Sequence, residues 1–255
     1  MTPSFWDHLD ELRRVIIRSL VAWAVCFVLV FGLRKVLFGV LFAPAQSDFV
    51  VYRLLCRLAN RTGWDSLCPS DFTPQFINTQ LAAQFTTHLE VAAVAALVVA
   101  LPFIIWQLYT FVAPALYQNE KKAAGRIIGF GTLLFVCGIV LNYFIIFPFA
   151  FRFLSTYQVE EAVVNQISLN SYVSTLLILS LIMGLLFEMP LVAWTLSKAG
   201  LLKAQWLKQY RRHAFVGLCI LAAVITPTGD AFTLMLVTMP LYLLYELSIL
   251  VTHRK

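Results

Sequence analysis

The stretch Val91-Ala-Ala-Val-Ala-Ala-Leu-Val-Val-Ala-Leu-Pro-Phe-Ile-Ile105 decides the fold class. In hydrocarbon each backbone N–H and C=O must be satisfied within the structure, which leaves helices or a closed barrel. A barrel strand is an alternating segment of about ten residues, whereas this run is longer, unbroken and apolar throughout, so it reads as a membrane helix. The whole chain agrees. At 255 residues, 60% hydrophobic and 13% charged, it has too little polar surface to clothe a water-soluble globule.

Measured against about 20 residues per span, the apolar runs predict an all-α membrane protein with six transmembrane helices in a single domain. They lie near 15–38, 88–112, 126–148, 171–196, 211–226 and 231–251. Between them fall an amphipathic helix at 1–14, a long outer loop at 39–87, and cytoplasmic loops at 113–125 and 197–212. Placing both ends in the cytoplasm puts Arg13, Arg14, Arg18, Lys121, Lys122, Arg126, Lys198, Lys203, Lys208, Arg211, Arg212, Arg254 and Lys255 inside. Arg34, Lys35, Arg53, Arg57, Arg61 and Arg152 then fall outside, half of them in one long loop whose topological vote is weak. The reversed orientation puts the larger group outside. The net charge of +6 is therefore a topology signal and not a nucleic-acid footprint. The first fourteen residues carry Asp7, Asp10 and Glu11 and no short apolar segment with a cleavage site, so they do not read as a removable leader.

The fifth run is short. Ala214 to Ile225 is strictly apolar and spans roughly 18 Å at helical rise against a hydrocarbon core of about 30 Å. Either the helix starts earlier, with Trp206 and Tyr210 at the interface, or the bilayer thins around it. Thr226-Pro227-Thr228-Gly229-Asp230 then makes a tight turn. Pro102, Pro190 and Pro240 fall inside spans and bend them, which suits a curved wall. No internal repeat relates the two halves, which weakens an inverted-repeat transporter reading.

Cys26, Cys137 and Cys219 sit in apolar spans as small core residues. Cys56 and Cys68 share the long outer loop, either as a disulfide or as two thiols. At the N-terminus Ser4 caps a helix with Asp7 answering three residues on. Phe5, Leu9, Leu12 and Ile16 share one face, and Asp7, Glu11, Arg14 and Arg18 the other. A second polar cluster runs from Phe111 through Pro114 and Leu116 to Glu120, Lys121 and Lys122 on the same side. Glu11 and Glu120, in surroundings otherwise rich in Lys and Arg, suit a guanidinium ligand, since Arg and carboxylate pair bidentately. Local ion pairs to Arg14 and Lys121 are the competing reading. Glu188 lies about 24 Å from Tyr172 by helical rise, inside the hydrocarbon. Pro190 would leave the Leu186 carbonyl without its helical donor, so a polar notch opens there, filled by a neighbouring helix or by a partner.

No His-Glu-x-x-His pair and no phosphate-binding loop occurs, and His8, His88, His213 and His253 sit at span ends or outside them. The chain therefore reads as a binding and transport protein rather than an enzyme, with no cofactor or metal. A solute or ion transporter remains the rival, with Glu188 and Gln107 as midplane polar residues.

The chain resembles the TatC family, the multispanning core subunit of the twin-arginine protein translocase. The resemblance rests on Ser4-Phe5 and His8-Leu9-Asp10-Glu11-Leu12-Arg13, on Phe111 to Lys122, on Phe187-Glu188-Met189-Pro190, and on Thr226 to Asp230. It implies bent helices forming a concave, glove-like wall in the cytoplasmic (inner) membrane, which exports folded proteins on the proton motive force. It also implies a site for twin-arginine signal peptides at Glu11 and Glu120 with His8, Leu9, Arg13, Phe111, Pro114 and Leu116. Glu188, with Pro190 and Gln107, would dock small single-span Tat subunits of the TatA/TatB type or the hydrophobic part of a bound signal peptide. The implied setting is a multi-copy complex in the lipid bilayer, without nucleic acid. Two departures stand out: Arg13-Arg14-Val15 lacks a further basic residue, and the first outer loop is long and brings Cys56 and Cys68.

Overall fold

Phe5–Phe31 contains neither proline nor glycine, and it forms one uninterrupted helix, α1. This corrects the expected division into a surface helix at 1–14 and a span at 15–38, because nothing in the sequence breaks the helix near residue 14. It ends instead at Gly32-Leu33, and a separate helix α2 (Arg34–Phe42) follows. The computed structural model describes residues 5–62, 74–112, 124–157, 160, 165–198, 200–226 and 230–253.

After a 3₁₀ turn at Ala43–Ala45 come α3 (Val50–Thr62), the two-residue strand β1 (Phe76–Ile77) and α4 (Ala83–Val112), which carries Pro102 inside it. α5 (Ala124–Leu141) passes through a π-helical turn, Asn142–Ile146, into α6 (Phe147–Thr156). Pro148 has no N–H to give Phe144, and the widened turn immediately precedes it. Strand β2 (Ile167–Ser168) pairs in parallel with β1, Phe76 opposite Ile167 and Ile77 opposite Ser168. It leads into α7 (Leu169–Phe187), whose first turn is capped by the Ser168 hydroxyl accepting from Ser171 N–H at 3.2 Å. α8 (Met189–Lys198), α9 (Ala204–Gln209), α10 (Arg211–Ile225) and α11 (Ala231–His253) complete the chain.

Five helical segments among the described residues are long and apolar enough to cross a membrane: Leu9–Phe31, Ala83–Phe111, Ile128–Thr156, Leu169–Lys198 and Ala231–Thr252. The protein is thus a multi-span helical membrane protein. The sixth expected span, α10, is 15 residues, about 22 Å long. It does not begin earlier as one continuous helix: a turn at Tyr210 separates it from α9.

Among the described residues two clusters hold the bundle together. One joins Leu134, Met183, Leu218, Val237, Leu241 and Ile249 from α5, α7, α10 and α11. The other is aromatic and gathers Phe147, Phe151 and Tyr172 with Phe42 and Phe76 at the end where α7 begins. Three tyrosines tie the segment between the first two long helices to this end. Tyr143 donates to Val40 O (2.6 Å), Tyr172 to Leu41 O (2.8 Å) and Tyr52 to Pro148 O (2.8 Å). Burial pushes the Tyr52 phenol up to about 12 against the opposing pull of Arg152, so it stays a donor at physiological pH. Cys56 is disulfide-bonded, whereas Cys26, Cys137 and Cys219 are free; Cys68 lies outside the described residues.

Candidate functional site

α1 and α4 run antiparallel. Trp23 Nε1 donates to Ala93 O at 3.0 Å, and Val15 and Ile16 reach the level of Ile104 and Leu108. Continuing that register brings Glu11 toward the end of α4, where Phe111 and Val112 lead into the segment that holds Glu120. The buried face of α1 follows Leu12, Val15, Ser19, Trp23 and Val30 at helical spacing. The expected face of Phe5, Leu9, Leu12 and Ile16 is therefore rotated, for Leu9 and Ile16 are 41% and 49% exposed. Glu11, Arg13 and Arg14 are exposed. Among the described residues Glu11 forms no ion pair with Arg14, so one arm of the local ion-pair reading is absent. Phe111 is half-buried. The side chain of His8, together with Glu120, Pro114 and Leu116, lies outside the described residues.

Between α1 and α4 runs an apolar groove of about 500 Å³, lined by Val15, Ser19, Trp23, Ala93, Leu97 and Leu108. Ser19 Oγ is buried there without a hydrogen-bond partner. The groove opens alongside the same pair of helices that carries Glu11 and Phe111.

Glu188 occupies the break between α7 and α8, as Pro190 two residues on would lead one to expect. Its N–H bonds Leu185 O at 3.1 Å and also reaches the carbonyl of Leu186. The orphaned carbonyl expected from Pro190 is thus met from within the turn. The half-buried carboxylate faces α5 at Gly131: a Cβ placed on that glycine would stand 3.3 Å from Oε2 and 3.0 Å from Leu191 Cδ2. A neighbouring helix therefore covers part of the notch, while Glu188 Oε1 is buried with no hydrogen-bond partner. Gln107 is 6% exposed on α4, and no hydrogen bond joins it to Glu188. Pro190 is buried.

Further along the same α5–α7 contact, the fully buried Asn142 in the π turn donates to Ser180 Oγ at 2.9 Å, and its Oδ1 has no partner. Residue spacing did not single out Asn142, Ser180 or Gly131. An amide inside an apolar run is the signal that could have pointed to Asn142.

The family model of the Sec-independent protein translocase protein (TatC) matches residues 7–240. The Sec-independent protein translocase protein TatC of a Blattabacterium from Periplaneta americana is 33% identical over 97% of this chain and 94% of its own length. TatC of Deinococcus radiodurans is 34% identical over 97% and 85%. A crystal structure of the twin arginine translocase receptor TatC superimposes with a TM-score of 0.74 at 28% identity, covering 96% of this chain and 97% of that one. A second, of the receptor in the detergent DDM, gives 0.77 at the same identity, covering 95% and 98%.

Proposed function

Because this chain belongs to the TatC family of Sec-independent protein translocase proteins, we propose that it is the receptor for twin-arginine signal peptides and the core subunit of a translocase for folded proteins. The proton motive force drives export across the cytoplasmic membrane. α10 serves as a short sixth span, both termini face the cytoplasm, and the bent helices form a concave wall. The observation that carries the receptor assignment is Glu11: exposed, unpaired with Arg14, and on the helix α1 whose antiparallel register with α4 runs toward the end of α4. An exposed carboxylate amid cationic residues, with no ion pair among the described residues, is a site for an incoming arginine. His8, Leu9, Arg13, Phe111, Pro114 and Leu116 complete the surface.

The test is photocrosslinking of a twin-arginine peptide and a twin-lysine version to the purified protein. Glu11→Lys and Glu120→Lys each replace a charge-assisted pair with repulsion and should weaken twin-arginine binding roughly thirtyfold or more. Wild-type affinity in both variants would remove the assignment.

Glu188, with Pro190 and Gln107, docks a small single-span TatA- or TatB-type subunit, the half-buried carboxylate supplying the polar contact. Glu188→Ala should keep signal-peptide binding and lose crosslinks to the small subunits. The opposite pattern would mean that the two sites are assigned the wrong way round.

A further inference from the structure

Helix α3 carries two rows on its outward face. Val50, Leu54 and Leu58, at i, i+4 and i+8, are 46%, 50% and 56% exposed. Arg53, Arg57 and Arg61 repeat the same spacing one residue earlier around the helix and are also exposed, and α3 contains no acidic residue. Tyr52 and Ala59 fill the opposite, buried face. A helix in a water-exposed loop gains nothing from an uncovered leucine row beside its cations. A helix lying in the plane of a membrane surface needs that pairing, with apolar side chains entering the acyl boundary and arginines reaching up to the headgroups.

The packing fixes its depth. Phe49, just before α3, stacks on Phe144 at 5.6 Å and meets Tyr143 edge-on at 5.6 Å. Tyr52 bonds Pro148 O, and Arg152 lies 5.8 Å from the Tyr52 ring. These partners belong to the span Ile128–Thr156. Counted from Ile128, the roughly 20 residues that cross the hydrocarbon end near Phe147. The first turn of α3 therefore sits at the hydrocarbon boundary. α2 continues the belt, exposing Val36 and Val40 at 63% and 55% beside exposed Arg34 and Lys35, and Tyr143 pins its last turn to the same level.

We propose that α3 is an interfacial helix that binds anionic phospholipid: Val50, Leu54 and Leu58 enter the acyl boundary while Arg53, Arg57 and Arg61 hold headgroup phosphates. Arg53 already pairs with exposed Asp48 at 3.3 Å, so Arg57 and Arg61 supply most of the selectivity. A lipid phosphate is the occupant because the row is purely cationic and its depth is that of headgroups; zwitterionic lipid offers the same apolar contact without the net charge.

The test uses the full-length protein with a fluorescent amino acid at Leu58, in nanodiscs of phosphatidylglycerol or phosphatidylcholine. The probe should be quenched by a nitroxide placed shallow on the acyl chain and shielded from aqueous iodide. The lipid retained on purification from a mixed membrane should be enriched in phosphatidylglycerol. Arg57→Gln with Arg61→Gln should reduce that enrichment by roughly fivefold per arginine, whereas Arg57→Lys with Arg61→Lys keeps it. Equal thermal unfolding of both double variants separates the lost charge from misfolding. Iodide quenching like that of a free probe would overturn the proposal, as would unchanged lipid enrichment in the glutamine variant. Shielding that vanishes at one protein per disc would mean that a second copy covers the leucine row, which also overturns it.

Discussion

Two helix pairs in this bundle meet in opposite ways. α5 and α7 touch backbone to backbone: a Cβ on Gly138 would fall 2.5 Å from Met183 O, and one on Gly184 2.9 Å from the Phe135 ring. The same seam carries the Asn142–Ser180 hydrogen bond and the Gly131–Glu188 contact. α1 and α4, by contrast, pack an antiparallel face along which an apolar groove of about 500 Å³ remains open. Lipid tails are as apolar as leucine, so membrane helices gain little by hiding leucines from lipid. They gain by close approach and by polar bonds. The glycine seam has both. The α1–α4 pair has its own cross-helix bond from Trp23, but it leaves the groove open and Ser19 Oγ unpartnered, and it is the pair whose end carries Glu11.

Substitutions can break or sharpen that contrast. The largest effect is expected from Gly138→Ala. Its new methyl meets main-chain atoms that cannot rotate away, at a cost of roughly 1–3 kcal/mol or more, which exceeds the about 1 kcal/mol that alanine gains over glycine in a helix. Thermal unfolding in detergent should show the loss, and an unchanged transition would mean that the seam is not close-packed. Asn142→Ala comes next. Interhelical hydrogen bonds in membranes average about 0.6 kcal/mol with a maximum near 1.7, so the same assay should register a smaller drop. A larger one would make the polar bond, and not the glycines, the chief tie between α5 and α7. Ser19→Ala removes a hydroxyl with no partner from the open groove and should change stability by less than about 0.5 kcal/mol. A marked loss would mean that the hydroxyl has a bond the groove does not reveal.

How much of this was legible in the sequence follows from which forces are local. Apolar runs located the five long helices, and Pro190 announced the break at Glu188. Helix boundaries were less legible. The charged residues of the first fourteen positions suggested a separate surface helix, yet nothing in Phe5–Phe31 stops a helix once begun. Tyr210 ends α9 without the proline or glycine that would have flagged a turn. Glu11 and Glu188 stood out because a carboxylate is conspicuous among cations or in hydrocarbon. Gly131 did not, since its importance lies in what faces it across a helix contact, and one chain of letters does not give that register. The glycine seam, too, depends on the phase between α5 and α7.

That turn gives the third span slack. A π turn holds one residue more than the α-helix on either side needs, so the faces before Asn142 and after Ile146 keep the relationship they would have in a helix one residue shorter. Elsewhere in a helix, removing one residue rotates everything beyond it by about 100°. Here the loss of Ile145, whose side chain is 45% exposed, would be absorbed by tightening the loop of backbone, leaving Phe147 and Phe151 still directed at Tyr172. The span can thus shed a residue here without re-aiming the aromatic end of the bundle.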